Sequence, residues 1–326
     1  MPILTTSDYR PPVYLFNGHL ETIVPSAFRK ITDVTYRRER LELADGDFLD
    51  LDWLKQDAPK LMIVSHGLEG SSDRHYSKGM ARYFYRRGWD ALAWNCRSCS
   101  GEMNRLPRFY HHGATEDIKE VVNHAIAAGR YKTIVLVGIS MGGSMTLKYL
   151  GENGGNLPSQ VKGGVAFSVP CHLGSSAREL DKPEKRFYLN RFLKKLGMKI
   201  KLKSERFPDL ISYRGFDQIK SFEAFDNRYT APLHGFRDAS DFYERAASLP
   251  YIPGIRVPVL IANAVNDPFL PPACYPFDIA RHSDYVFLET PDRGGHTGFT
   301  LSGSDDSWME RRAFAFLENV GTGFKD

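Results

Sequence analysis

Short apolar runs alternate with amphipathic helical patterns along most of the chain. The apolar runs have the composition of buried strands, and the first two flank the hairpin turn Asp45-Gly46-Asp47. They lie at 35–43, 48–54, 61–67, 89–95, 133–140, 161–170, 257–267 and 284–292. Helical patterns lie at 75–88, 114–130, 142–153 and 307–320. This alternation predicts an α/β fold, with a mainly parallel sheet covered by helices on both faces.

One long segment interrupts this alternation, between the sixth and the seventh predicted strand. Within it, residues 183–197 place Leu189, Phe192, Leu193 and Leu196 on one helical face and end in Gly197, and residues 239–248 form a second helical pattern. The segment therefore predicts a helical cap inserted before the last two strands. The predicted organisation is an N-terminal extension (1–33), a core (34–170 and 256–326) and a cap insertion (171–255).

Composition excludes several classes of protein. Of the 326 residues, 42% are hydrophobic and 25% are charged, which is typical of a globular chain and not of a disordered one. The formal net charge of +4 is too small for a dedicated nucleic-acid binder. There is no apolar run long enough for a transmembrane helix and no pattern of a secretory signal. We therefore expect a cytoplasmic protein that binds no nucleic acid.

The cysteines are too few to hold a chain of this length together by disulfides. Cys96 and Cys99 form a C-x-x-C, but a loop sequence follows them instead of a helix, and no second pair completes a zinc site. We expect neither a redox nor a metal role for this pair.

A candidate nucleophile lies at the end of the fifth apolar run. Gly138-Ile139-Ser140-Met141-Gly142 is a G-x-S-x-G that follows a strand and opens a helix, which is the context of the nucleophile elbow of α/β-hydrolases. Glycines are needed at both ends because a side chain there would collide with neighbouring elements. The alternative is an ordinary serine in a glycine-flanked turn.

A nucleophilic serine also needs N–H donors for the oxyanion that develops on the substrate. One predicted donor is the backbone N–H of Met141, directly after the serine. The other is the N–H of Leu68, in the loop that follows the third strand. His66 lies at the end of that strand, and because it precedes the serine we interpret it as organising the loop and not as the catalytic base.

The acid and the base follow from the order in which this fold places its catalytic residues: serine, acid, histidine. Asp267 ends the seventh predicted strand, and His296 lies just beyond the last one. No other histidine satisfies both order and position. Competing carboxylates lie on a helix, before a strand or too near the histidine: Asp278, Asp284 and Asp292. The predicted triad is Ser140, Asp267 and His296.

Several motifs together resemble the YheT-like branch of the α/β-hydrolases, over nearly the whole chain. They are Asn17-Gly18-His19-Leu20, HGLEGSS (66–72), CSGE with Asn104 and Arg105 (99–105), GISMGGSM (138–145), TAPLHGF (230–236), NDPFLP (266–271) and GGHTGF (294–299). The resemblance implies the same triad and activity on medium-chain acyl esters or glycerolipids. Two residues differ from the branch, Glu21 in place of Gln and Ser98 in place of Gly. We expect these differences to affect the substrate and not the chemistry.

The expected function is that of a serine hydrolase that cleaves carboxylic esters of short to medium acyl chains through an acyl-enzyme, without metal or organic cofactor. An alcohol O-acyltransferase and a glycerolipid or phospholipid lipase remain alternatives, as does a non-catalytic binding protein of the same fold. Residues 178–206 carry eleven Lys or Arg and four Asp or Glu. This basic segment indicates either a solvated outer face or a peripheral contact with an anionic membrane.

Overall fold

The computed structural model describes residues 3, 4 and 6–318, and these form one nine-stranded sheet. The strands are β1 (Ile3–Leu4), β2 (Arg37–Glu42), β3 (Phe48–Leu54), β4 (Lys60–Ser65), β5 (Asp90–Asn95), β6 (Thr133–Ile139), β7 (Val161–Phe167), β8 (Val259–Ala262) and β9 (Val286–Glu289). Their order is β1-β9-β8-β7-β6-β4-β5-β3-β2. In this spatial order, every neighbouring pair from β1 through β9, β8, β7, β6 and β4 to β5 is parallel. At the other edge, β3 pairs antiparallel with β5, and β2 pairs antiparallel with β3. The predicted mainly parallel sheet is confirmed; β1 was not predicted.

Helices lie on both faces of this sheet and in a segment between β7 and β8. They are α1 (Gly18–Phe28), α2 (His75–Tyr85), α3 (Thr115–Ala127), α4 (Met141–Asn153), α5 (Leu173–Leu180), α6 (Arg186–Arg206), α7 (Phe222–Phe225), α8 (Ala231–Leu233), α9 (Ala239–Ala246), α10 (Phe277–Arg281) and α11 (Trp308–Leu317). The prediction for 307–320 extends beyond α11 into residues 319 and 320, which lie outside the described residues.

Successive side chains along a strand point to opposite faces of the sheet, so each central strand contributes to the hydrophobic layers on both faces. In β4, Leu61 and Ile63 pack with α3 and α4, whereas Met62 and Val64 pack with α2 and α11. All four are buried. A strand with both faces buried in this way reads as a continuous apolar run, which is the pattern seen in the sequence.

The five helices α5–α9 lie between β7 and β8, where the sequence predicts the cap insertion. They enclose a third hydrophobic cluster, to which Leu189, Leu193 and Ile200 of α6 contribute together with Phe269 from the core. The boundaries 171 and 255 stay predictions. None of the helices in the described part of the chain combines the length and apolar character needed to cross a membrane.

The predicted end of the helix at Gly197 is wrong, because α6 continues to Arg206. A Cβ atom at position 197 would lie 2.6 Å from the ring of Phe216, so this glycine allows a close approach between α6 and a neighbouring segment. Ile200 prolongs the apolar stripe beyond the glycine and is fully buried.

A buried ionic network joins the hairpin turn, the loop after β5 and the start of α3. Arg97 contacts Asp47 at 2.9 Å and Asp117 at 2.7 Å, and all three side chains are at most 3% exposed. Asn104 also donates to Asp47 at 2.6 Å. The loop after β5, which contains the CSGE motif, therefore has a structural role, and Cys96 and Cys99 within this loop are buried free thiols. Burial raises the pKa of both thiols.

We expect Arg97→Met to lower the free energy of unfolding by about 3–5 kcal/mol, because the substitution leaves two buried carboxylates without their cation. Urea denaturation followed by circular dichroism measures this change. Arg37→Met, at an exposed position of β2, is the matched control and should leave stability unchanged. Equal stability of the two variants would contradict a stabilising role for the network.

Candidate active site

Ser140 occupies the sharp turn between β6 and α4. Its backbone has φ 55° and ψ −117°, a conformation that a non-glycine residue adopts only where the surrounding structure holds it. A Cβ atom at Gly142 would lie 2.2 Å from the carbonyl oxygen of Ser65, and one at Gly138 would lie 2.4 Å from the carbonyl oxygen of Gly142. The two glycines of the motif therefore let α4 start directly against the sheet, as the sequence predicts.

The structure brings the three predicted triad side chains together. His296 Nε2 lies 2.9 Å from Ser140 Oγ. His296 Nδ1 lies 2.9 Å and 3.1 Å from the two carboxylate oxygens of Asp267. The Asp267 carboxylate is fully buried and also accepts the N–H of Phe269 at 2.8 Å. With Nδ1–H directed at this carboxylate, Nε2 is left as the acceptor that faces the serine hydroxyl.

The loop with the second predicted oxyanion donor packs against Ser140. A Cβ atom at Gly67 would lie 3.2 Å from Ser140 Cβ, and Leu68 lines the same pocket as the serine. Met141 is the first residue of α4, where backbone N–H groups have no partner within the helix. Both predicted donors therefore border the serine, and their role as donors stays a prediction.

Both ring nitrogens of His66 form hydrogen bonds with backbone groups. Nδ1–H donates to the carbonyl oxygen of Gly67 at 2.8 Å, and Nε2 accepts the N–H of Cys96 at 3.1 Å. This residue holds the loop after β4 to the loop after β5, in agreement with its interpretation as a loop-organising residue.

Helix α1 supports the loops that carry the acid and the base. The buried carboxylate of Glu21 accepts hydrogen bonds from three groups on these loops: Asn266 Nδ2 at 2.7 Å, Arg293 Nε at 2.9 Å and the N–H of Gly294 at 2.9 Å. Thr22 Oγ1 accepts the N–H of His296 at 2.8 Å. Sequence reasoning missed both roles, although the Asn17-Gly18-His19-Leu20 motif lies directly before them.

Aromatic contacts connect the histidine to α6. The ring of Phe269 stacks on His296 with centroids 4.0 Å apart, and Tyr188 packs edge-on against Phe269. The Tyr188 hydroxyl forms a hydrogen bond with His19 Nδ1 at 2.9 Å. His19 therefore has a supporting role, and burial lowers its pKa.

Two pockets meet at the loop that contains Leu68 and Glu69. The first, which we call the site pocket, is lined by Ser140 and His296. The second, which we call the apolar pocket, lies between α5, α6 and the aromatic residues that follow them, among them Phe222. Leu68 and Glu69 line both pockets, so this loop lies between them.

Glu69 ties this loop to α6. Its carboxylate accepts from Lys199 Nζ at 2.8 Å and from the hydroxyl of Tyr110, and its backbone N–H donates to the same hydroxyl at 3.0 Å. Its carbonyl oxygen accepts from Lys195 Nζ at 3.0 Å. Glu69 has a positive φ of 54°, so these contacts hold a strained residue directly beside Leu68.

Part of the positive charge of α6 points inward. Besides Lys199, Lys203 is fully buried and donates to the carbonyl oxygen of Leu106. Burial lowers the pKa of Lys203 to about 7. The contact of this basic segment with an anionic membrane stays a prediction, and it rests on fewer free cations than the sequence indicates.

Comparison with known proteins decides the family. A family model of the alpha/beta hydrolase fold matches residues 60–301. The chain belongs to the α/β-hydrolase family. It is 32% identical over 318 residues to "Putative esterase YheT" of Escherichia coli K12, which covers 94% of this chain and 92% of that protein. Its place in the YheT-like branch is therefore confirmed.

A further relative and a solved structure agree with the α/β-hydrolase fold. Phospholipase ABHD3 of Homo sapiens is 28% identical over 91% of this chain and 74% of its own length. Among solved structures, an esterase of Pyrococcus furiosus has a TM-score of 0.60 at 18% identity, covering 90% of this chain and 96% of that one. The chain is thus an α/β-hydrolase with esterase- and lipase-type relatives.

The two residues that differ from the branch lie away from both pockets. Glu21 lies behind the loops of the acid and the base, and Ser98 lies in the loop after β5 with a positive φ of 64°. Glu21 positions these loops, and the expectation that the two differences affect the substrate stays a prediction. At position 98 the backbone conformation is one that glycine adopts without strain.

We expect Lys199→Met to lower the free energy of unfolding by about 3 kcal/mol, because it leaves the Glu69 carboxylate buried without a cation. The Glu69 side chain is only 5% exposed. Urea denaturation measures the change, and Lys194→Met, at an exposed position on the same helix, is the control. If both variants unfold at the same urea concentration, α6 is not held to the loop by this ion pair.

Proposed function

We propose that this chain is a serine hydrolase that cleaves carboxylic esters of short to medium acyl chains through an acyl-enzyme. The observation that carries the proposal is the continuous line of hydrogen bonds from Ser140 Oγ through His296 to Asp267. This arrangement is the one that activates a serine hydroxyl in hydrolases of unrelated folds.

In the first step, His296 Nε2 removes the proton of Ser140 as Oγ attacks the ester carbonyl carbon. The carbonyl π electrons move onto oxygen and form a tetrahedral oxyanion. Asp267 holds the imidazole in the Nδ1–H tautomer and stabilises the imidazolium that results. Because the carboxylate is fully buried, water does not weaken this interaction.

The oxyanion is stabilised by the backbone N–H groups of Met141 and Leu68. Each such donor, when removed, costs about 2.7–4 kcal/mol of transition-state stabilisation in related chemistry. The tie between Glu69 and α6 keeps the Leu68 N–H in place before the substrate arrives, so little reorganisation is needed in the transition state.

Collapse of the intermediate expels the alcohol, which takes the proton from His296, and leaves an ester between the acyl group and Ser140 Oγ. Water, deprotonated by the same His296, then attacks this ester. The second tetrahedral intermediate collapses, His296 returns the proton to Ser140 Oγ, and the carboxylic acid is released. The apolar pocket accepts the acyl chain, and its aromatic lining suits hydrocarbon. No step requires a metal or an organic cofactor.

Two alternatives share this acyl-enzyme. An alcohol that attacks in place of water would make the protein an acyltransferase, and the ratio of ester synthesis to hydrolysis in added alcohol distinguishes the two. A phospholipid or glycerolipid substrate would make it a lipase, an alternative favoured by the similarity to a protein named as a phospholipase.

The first test is a series of p-nitrophenyl esters from acetate to hexadecanoate. We expect wild-type protein to hydrolyse the short and medium esters, and Ser140→Ala to lower kcat by at least about 10⁴-fold. Ser144→Ala is the control and should remain active. Ser144 lies in α4, the helix that begins directly after Ser140, and its buried hydroxyl has no hydrogen-bond partner among the described residues.

Unchanged hydrolysis by Ser140→Ala would contradict the assignment of the nucleophile. Absence of hydrolysis by wild-type protein across the whole series would favour a non-catalytic binding protein.

The second test addresses the acid. Asp267→Asn keeps the size of the side chain but favours the wrong histidine tautomer, so we expect kcat to fall by about 10⁴-fold with folding preserved. Asp292→Asn, at an exposed position near the histidine in sequence, should have no effect. A loss of less than about tenfold in Asp267→Asn would mean that another carboxylate serves His296.

A further inference from the structure

Three cationic side chains line the site pocket together with Ser140 and His296. Arg74 comes from the residue directly before α2, and Arg191 and Lys195 come from α6. Residues four apart lie on the same face of a helix, so Arg191 and Lys195 present their charges side by side. None of the three side chains takes part in the proton transfers of the proposed mechanism.

These cations have no carboxylate partner in the part of the chain that the structure describes. Arg74 donates to Ser26 Oγ at 2.9 Å, and Lys195 donates to the backbone carbonyl of Glu69. Glu69 provides the one carboxylate among the described residues that line this pocket, and it is already paired with Lys199 at 2.8 Å. The site pocket is therefore electropositive.

Such a cluster is unfavourable in the empty protein, because like charges at close range repel one another. Burial, and then the neighbouring Arg74, lower the pKa of Lys195. An anion placed among the three side chains would reverse this repulsion. Arginine presents a planar fork of N–H donors that matches the oxygens of a phosphate or a carboxylate.

The position of the apolar pocket indicates which part of a substrate would carry this anion. The two pockets adjoin at Leu68 and Glu69, with Ser140 on the side of the basic residues. An acyl chain that enters the apolar pocket leaves the alcohol part of the ester in the site pocket, beside Arg74, Arg191 and Lys195.

We propose that Arg74, Arg191 and Lys195 form an anion subsite for an oxyanion group, phosphate or carboxylate, on the alcohol part of the ester substrate. This inference rests on the proposed ester hydrolysis and names the class of substrate for it. The three residues bind and orient the alcohol part, and they take no part in proton transfer.

The test compares three octanoyl esters below their aggregation concentrations: 1-octanoylglycerol, its 3-phosphate and octanoyl lactate. Because a hydrogen bond to a charged group contributes about 1.5–3 kcal/mol, we expect kcat/KM for an anionic ester to exceed that for the neutral one by about ten- to hundredfold. We expect a lower ratio of kcat/KM for the anionic ester to kcat/KM for the neutral ester in each of the variants Arg191→Gln, Arg74→Gln and Lys195→Gln. Added salt should lower the same ratio in the wild type.

Lys194→Gln is the matched control, because it removes a cation from an exposed position of α6 that does not line the pocket. It should leave the ratio unchanged. A preference for the phosphate ester identifies phosphate as the group that is bound, and a preference for the lactate ester identifies carboxylate.

Equal kcat/KM for the neutral and both anionic esters would overturn the proposal. A preference for the anionic esters that appears only above the aggregation concentration would also overturn it, as would a preference that Lys194→Gln removes as fully as the three pocket variants do.

Titration calorimetry of Ser140→Ala with octyl phosphate and octyl glucoside tests the subsite without catalysis. Tighter binding of octyl phosphate, lost in the double variant with Arg191→Gln, supports the subsite even if no ester is hydrolysed. Equal binding of the two rejects it.

Discussion

The close approach of α4 to the end of β4 is the constraint on which the whole site depends. The Ser65 carbonyl occupies the space where a side chain of Gly142 would lie, and this contact lets Ser140 adopt its positive φ and present Oγ above the sheet. The backbone N–H of Ser140 is held by the carbonyl of Phe167 at 2.8 Å. Because Asp267 and His296 follow parallel strands that end at the same edge, their loops reach the serine from one side.

Two buried carboxylates from distant parts of the chain hold the loops around this turn. Glu21 of α1 fixes the loops behind His296, and Glu69 is fixed in turn by Lys199 of α6. Several residues in these loops have positive φ without being glycine, among them Glu69 and Thr297. Such conformations persist only where neighbouring groups over-determine them, so α1 and α6 are needed for the site as well as for the fold.

The parts of the structure that the sequence predicts are those governed by local periodicity and chain order. Eight strands, the serine turn and the meeting of Asp267 with His296 follow from apolar runs and from the ends of parallel strands. Gly197 was misassigned because a glycine that ends a helix and one that allows close packing look alike without the partner ring. The supporting role of Glu21 depends on contacts 245 and 273 positions away, beyond the reach of any local pattern.

The number of basic residues in α6 does not by itself tell how much positive charge the helix presents to solvent. Counted along the sequence, its lysines and arginines form one basic segment, but the fold divides them among different environments. Lys199 and Lys203 are bound inside by a carboxylate and by backbone carbonyls, and Arg191 and Lys195 line the site pocket. The remaining cations of this helix are exposed, as are its apolar residues Phe187, Met198 and Leu202. The electrostatic attraction of this helix to any anionic surface therefore depends on these exposed cations, whereas the proposed attraction of the site pocket to an anionic substrate depends on Arg191 and Lys195.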